Sequence, residues 1–180
     1  MLAKLDYVVG LGTTCNSASY SSRQGNSKAV VKFSWRIGAA GEVSLLLQAY
    51  ARGVEGIISG LGEEDLCSVT DFRQGLPFPG PFIDRIFSYV ATTLRGRSLQ
   101  HFKCNHELLV VLSDYVPCLK SLYMDEKMFH GDVAIKNMIL APRHGVTDNG
   151  TERMTGVLID FDQTLDLDNV NDNVNDTTIN

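Results

Sequence analysis

The residues of this chain best suited to chemistry lie late in it. His130-Gly-Asp132-Val-Ala-Ile-Lys136-Asn137 runs into the apolar stretch Met138-Ile-Leu140. An Asp therefore stands five residues ahead of an Asn. A carboxylate there can orient an attacking hydroxyl and take its proton. An amide oxygen a few residues on can bind a hard cation without adding a second negative charge. A second element, Val157-Leu-Ile-Asp160-Phe-Asp162, puts an Asp just after a short apolar run. Asn137 with Asp160 is a sensible ligand pair for Mg²⁺, which takes one or two carboxylates plus substrate phosphate oxygens.

Two further elements lie upstream. Lys32 sits in Val30-Val-Lys-Phe, an otherwise apolar segment. A Lys at such a position should face an acid or a ligand, and Glu42, ten residues on, can supply the acid. A lysine clamped by a glutamate and turned to phosphate oxygens is a phosphoryl-transfer arrangement. Gly10-Leu-Gly12 precedes a polar turn, where backbone N–H groups can cover phosphates. Each feature alone has an ordinary explanation: turn glycines, a solvated lysine, a surface glutamate, loop acids. Their order along the chain carries the inference.

The elements that must position them follow from pattern. Residues 29–35 are rich in β-branched and aromatic types and predict a strand. Residues 16–26 are rich in Ser and Asn and predict a turn. Residues 39–52 predict a helix stopped by Gly53. A short strand is expected at 56–59. Residues 63–81 mix acids, Gly and three prolines and predict a loop. Residues 85–91 predict a strand. A helix is expected from an N-cap at Asn105 to about residue 125, with Leu108, Leu112, Tyr115, Val116, Leu119 and Leu122 on one face, kinked or split at Pro117. Residues 138–140 and 157–159 predict two strands of a hairpin with Asn149-Gly150 in its excursion. The order is α+β rather than a regular alternation.

Composition limits the function. The chain has 180 residues and a net charge of −5, which argues against a general nucleic-acid or anionic-membrane binder. Residues 160–180 hold six of the 21 acidic groups and no Lys or Arg, so residues 1–159 carry 15 acids (21 less 6) against 16 bases. No apolar run reaches the roughly 18–20 residues of a membrane span. The four cysteines show no metal-binding spacing and no disulfide framework. An intracellular location, cytoplasmic or nuclear, is expected.

These residues together resemble the fungal-type protein kinase family. The resemblance is carried by Lys32-Phe-Ser-Trp-Arg36 with Gly41-Glu-Val; by Leu94-Arg-Gly-Arg-Ser-Leu99 with Glu107-Leu-Leu109; by His130-Gly-Asp-Val-Ala-Ile-Lys-Asn137; and by Gly156-Val-Leu-Ile-Asp-Phe-Asp162. It implies a two-lobed fold: an N-terminal ATP-binding lobe (1–93) of a small antiparallel sheet plus one helix, an incomplete helical catalytic lobe (94–167), and a disordered acidic tail (168–180). It also implies that Lys32 contacts the ATP phosphates and Glu42 holds Lys32. Gly10 and Gly12 would cover the phosphates. The hinge would run near 89–93, with Tyr89 and Ala91 meeting adenine. Asp132 would be the catalytic acid/base, Asn137 a catalytic-loop Mg²⁺ ligand and Asp160 the principal Mg²⁺ ligand. The reaction implied is ATP- and Mg²⁺-dependent phosphoryl transfer to Ser/Thr hydroxyls of an unknown protein substrate.

The sequence departs from the kinase pattern in places. Cys15 stands for the third loop glycine, Gly131 for an Arg and Asp162 for a Gly. Ala134 stands where a Lys often steadies the transferred phosphate, and Lys136, two residues late, is not assigned that role. After Leu167 no activation segment is recognisable. The expectation is therefore a chain cut short after the metal-binding Asp motif, with exposed apolar surface on its second lobe. A small-molecule kinase of the aminoglycoside/choline type and an inactive pseudokinase-like binding module are the alternatives.

Overall fold

A computed structural model of the chain describes residues 12–22, 25–37, 41–76, 82–93, 96–148 and 151–167, with backbone alone at 22, 25–26, 144–148 and 151–152. The fold is α+β, with antiparallel sheets and few helices. It divides into two compact units. Helix α1 (Glu42–Ala51) contributes to both: residues through Ser44 group with the first unit, and residues 45–58 with the second.

The first unit holds an antiparallel sheet in the spatial order β1 (Thr14–Ser22), β2 (Gly25–Arg36), β4 (Ile86–Thr93), β3 (Gly60–Ser68). Period-2 alternation sorts the side chains of β2. Phe33 and Trp35 share a face with Phe87 and Tyr89 of β4, with ring centroids 5.0–6.1 Å apart. Lys32, Ser34 and Arg36 share the opposite face. Ser34 and Ser88, both buried, face each other across that side.

Two sequence expectations fail in this unit. Residues 16–22 form strand β1 instead of a turn. As an edge strand, β1 tolerates Ser and Asn, and an unbroken register from Thr14↔Phe33 to Ser22↔Gly25 supplies its ladder. The loop expected over 63–81 contains most of β3 and helix α2 (Val69–Arg73), capped by a reciprocal Ser68–Asp71 box. The β3 acids that suggested a loop each have a partner. Glu63 accepts from the Val43 N–H, Glu64 from the Tyr89 hydroxyl and Asp65 from the Arg36 guanidinium.

The second unit is built on helix α3 (Asn105–Met124) and the hairpin β7 (Met138–Asp148)/β8 (Thr151–Leu158). Short strand β5 (Arg97–Ser98) adds to β7, and β6 (Met128–Phe129) pairs with β9 (Leu165–Asp166). Gly53 ends α1 at φ 89°, as expected. The strand expected at 56–59 reduces to a single parallel bridge, Ile57↔Leu158. The expectations for Gly10, Asn149-Gly150 and the tail over 168–180 lie outside the described residues. Among the described residues no helix is long and apolar enough to cross a membrane.

Helix α3 corrects three expectations. Its buried face is Val111, Tyr115, Cys118 and Leu122; Leu112 and Val116 point outward, the latter 67% exposed. The helix runs through Pro117 without splitting. A mid-helix proline costs about 3 kcal/mol, whereas burying a large apolar side chain contributes roughly 1.5–3 kcal/mol. Several such side chains on one face outweigh one proline on the other. The N-cap is Cys104, not Asn105, and makes no side-chain cap bond. Glu107 instead accepts from the Lys103 N–H at 2.6 Å and pairs with Arg97.

Tyr115 links the helix to the hairpin. Its hydroxyl accepts from the Ile139 N–H at 3.0 Å and donates to the Val157 carbonyl, two residues that face each other across the β7–β8 ladder. Burial pushes the Tyr115 phenol well above its ordinary range. Tyr115→Phe is expected to lose about 1–3 kcal/mol of stability, read from the urea-unfolding midpoint. Val116→Ala should stay within about 0.5 kcal/mol of wild type. The reverse order would show that α3 buries a different face.

Candidate active site

The late segment turns sharply before it reaches β7. Gly131 sits at φ 79°, and a Cβ there would fall on the Gln163 carbonyl, so this step requires glycine. His130 is buried beside Phe161, with ring centroids 4.9 Å apart in an edge arrangement. Its Nδ1 accepts from the Asp132 N–H at 3.3 Å, which leaves Nε2–H to donate to the Ile159 carbonyl at 3.2 Å. Burial pushes the His130 pKa below its ordinary value, so the neutral ring is favoured. A neutral imidazole with one donor and one acceptor satisfies both backbone groups.

The structure brings Asp132 and Asn137 together. A 3-10 turn over Ile135–Asn137 folds Asn137 inward until it is buried. Its Nδ2 donates to the Asp132 carbonyl oxygen at 2.9 Å and to Asp132 Oδ2 at 3.0 Å. Both bonds use the amide nitrogen, so the amide oxygen is not engaged by Asp132. The Asn137 carbonyl accepts from the Ile159 N–H at 3.0 Å. That bond sets Asp160 at the end of the strand neighbouring Asn137. Asp160 itself lies at φ 67°, a conformation non-glycine residues rarely adopt and one associated with functional positions. The next residue, Phe161, is fully buried.

Lys136 has a position that sequence alone did not assign. Its ammonium lies 2.8 Å from Asp132 Oδ2. Lys136 holds the Asp132 carboxyl below the usual carboxylate range, outweighing the opposing effect of burial, and Asn137 adds a lesser contribution in the same direction. Asp132 in turn raises the Lys136 pKa. Both groups are charged at neutral pH. Asp132 lies outside any helix, ahead of the short 3-10 turn, so the pairing comes from the path of the loop rather than from a shared helical face.

In the first unit, Lys32 pairs with Glu42; the Glu42 side chain is buried and that of Lys32 is 12% exposed. Gly12 is exposed at φ 57°, immediately ahead of β1; Gly10 lies outside the described residues. Tyr89 and Ala91 do not form a hinge. Each sits inside β4 with a partner strand on either side, Phe33 and Glu64 for Tyr89, Val31 and Gly62 for Ala91. Their backbone groups are engaged in the sheet.

A model of the fungal protein kinase family matches the chain over residues 1–83 and 73–179. The chain belongs to that family. A search of curated proteins returned no match.

The two motifs most particular to the resemblance do structural work. One guanidinium nitrogen of Arg36 donates to both carboxylate oxygens of Asp65, at 2.6 and 2.8 Å, linking β2 to β3 across the intervening β4. Arg97 pairs with Glu107 and donates to the His101 carbonyl, tying β5 to the start of α3. For a metal, the second unit offers hard oxygen donors: the Asn137 amide oxygen and the Asp160 carboxylate. This donor set suits Mg²⁺.

Because Lys136 is the largest influence on Asp132, Lys136→Met is expected to raise the Asp132 titration midpoint toward the ordinary value of 3.8. Carboxyl carbon NMR reads this directly. An unchanged midpoint would separate the two side chains. The sign also fixes a stability effect: a depressed carboxylate contributes stability at neutral pH that is lost as pH falls through its folded-state pKa. Wild type should lose that contribution on acidification, and Lys136→Met should have less to lose.

Proposed function

We propose that the chain binds ATP with Mg²⁺ and transfers the terminal phosphoryl group to a Ser or Thr hydroxyl of a protein. The observation that carries this reading is the Asp132 carboxylate. One of its oxygens receives both the Asn137 amide and the Lys136 ammonium. The other is left to meet a hydroxyl. Membership of a protein kinase family supports the reading.

In this account the two compact units serve as the two lobes. Lys32, held by Glu42, contacts the ATP phosphates from the first. Gly12, just ahead of β1, brings its backbone N–H to the same phosphates. Asp132 orients the substrate hydroxyl and takes its proton as the new O–P bond forms and the bond to the departing ADP breaks. Asp132 stays ionised because its neighbours hold its pKa low. Lys136 lies beside the attacking oxygen, where an ammonium offsets charge on the transferred group. Asn137 and Asp160 would hold Mg²⁺, which when bound neutralises phosphate charge and fixes phosphate geometry.

Mg-ATP is expected to raise the melting temperature of the wild type by several degrees. Asp160→Ala should abolish the shift, because the metal tethers the phosphates. Asp132→Ala should keep it while lowering turnover by about 10²–10⁴-fold. Labelled phosphate should pass to a generic protein and not to aminoglycosides or choline. No thermal shift for the wild type would overturn the reading in favour of a module that does not bind nucleotide.

A further inference from the structure

Helix α1 presents a problem at its first turn. The early N–H groups of any helix lack intrahelical acceptors. The residue before Glu42 is Gly41, which has no side chain to cap them. The acceptor comes instead from the sheet. Glu63 on β3 accepts from the Val43 N–H at 2.8 Å through Oε2. Through Oε1 it accepts from the Ser44 N–H at 3.1 Å and the Ser44 hydroxyl at 2.9 Å. A carboxylate at this end of a helix is also favoured by the backbone dipole.

The placement is tight. A Cβ on Gly41 would fall on the Glu63 carboxylate. A Cβ on Gly60 would come within 2.9 Å of Val43 Cγ1. Strand register puts Glu63, Val90 and Lys32 in one row across β3, β4 and β2. The first turn of α1 therefore stands over buried Val90, with one carboxylate on each side of it. Glu63 grips the helix backbone. Glu42, adjacent to the gripped residues, holds Lys32.

We propose that Glu63 is a positioning residue for the Lys32–Glu42 ion pair, acting through the backbone of helix α1. It sets the height and rotation of the first turn, and so where the Glu42 carboxylate meets the lysine. The inference deepens the proposed phosphate-contacting role of Lys32 and rests on it for its catalytic consequence. The geometric part is independent of any nucleotide.

The test compares Glu63→Ala and Glu63→Gln with Glu64→Ala, whose carboxylate faces the opposite side and meets Tyr89. Folding is checked first by circular dichroism. Trace acetic anhydride then labels lysines of the native proteins, and mass spectrometry reads the rate at Lys32 relative to exposed Lys28 and Lys120. Glu63→Ala is expected to raise the relative Lys32 rate about tenfold, the order expected from losing a helix cap. Glu63→Gln keeps one of the two acceptors and should raise the rate by a smaller factor, about threefold; Glu64→Ala should match wild type. A folded Glu63→Ala with wild-type Lys32 labelling would overturn the inference. If Glu63→Ala does not fold, Glu63→Gln carries the test. Faster amide exchange at Val43 and Ser44, with faster Lys32 labelling, supports the proposal, and unchanged values for both overturn it. With an active enzyme, Glu63→Ala should raise the KM for ATP more than it lowers kcat. If no variant, wild type included, binds Mg-ATP while Lys32 labelling still responds to Glu63, the functional reading fails and the positioning role stands.

Discussion

The second unit depends on one buried amide. Asn137 holds Asp132 with its side-chain nitrogen and receives the Ile159 N–H on its backbone carbonyl. Two segments more than twenty residues apart in the chain are thereby joined at one point. The cost of burying a polar amide is met because its nitrogen is doubly bonded and its backbone is paired. The surrounding pieces keep that amide in place. His130 bridges from its own loop to the Ile159 carbonyl, Phe161 packs beneath it, and Tyr115 pins the two strands one step further along.

The first unit solves a different problem. It holds a lysine largely away from water beside a carboxylate. Burying an unpaired ammonium costs several kcal/mol, so Lys32 needs Glu42, and Glu42 needs a fixed helix. Of the β3 acids, Glu63 meets the helix backbone, while Asp65 ties β3 to Arg36 of β2. The Lys-Phe-Ser-Trp-Arg motif is thus two motifs interleaved. Its odd-numbered residues build an aromatic layer, and its even-numbered residues build a charged one.

Much of this was legible in the sequence because it is local or patterned. Strand β2, helix α1 with its Gly53 stop, the β7–β8 hairpin and the Asp132–Asn137 pair all announce themselves by period or spacing. What was illegible depended on partners distant in the chain. Strand β1 reads as a turn until β2 is set beside it. Strand β3 reads as a loop because Glu63, Glu64 and Asp65 look solvated until their three partners are known. Tyr89 and Ala91 read as a hinge because nothing local says that they have strands on both sides. The buried face of α3 was rotated because Val116 and Leu112 are as apolar as the residues that pack. Lys136 was set aside because the expected lysine stands two positions earlier, and no helix over Asp132 would have announced a pairing four residues on.

The central claim is that the loop of Asp132 and Asn137 and the loop of Asp160 present their oxygens to one metal–nucleotide complex. Paramagnetic Mn²⁺, titrated with a non-hydrolysable ATP analogue, tests it by the broadening of assigned amide signals. The account predicts that Asp132, Asn137 and Asp160 broaden together at the same low metal concentration. Broadening of one loop without the other, or none that is specific to either, would contradict it.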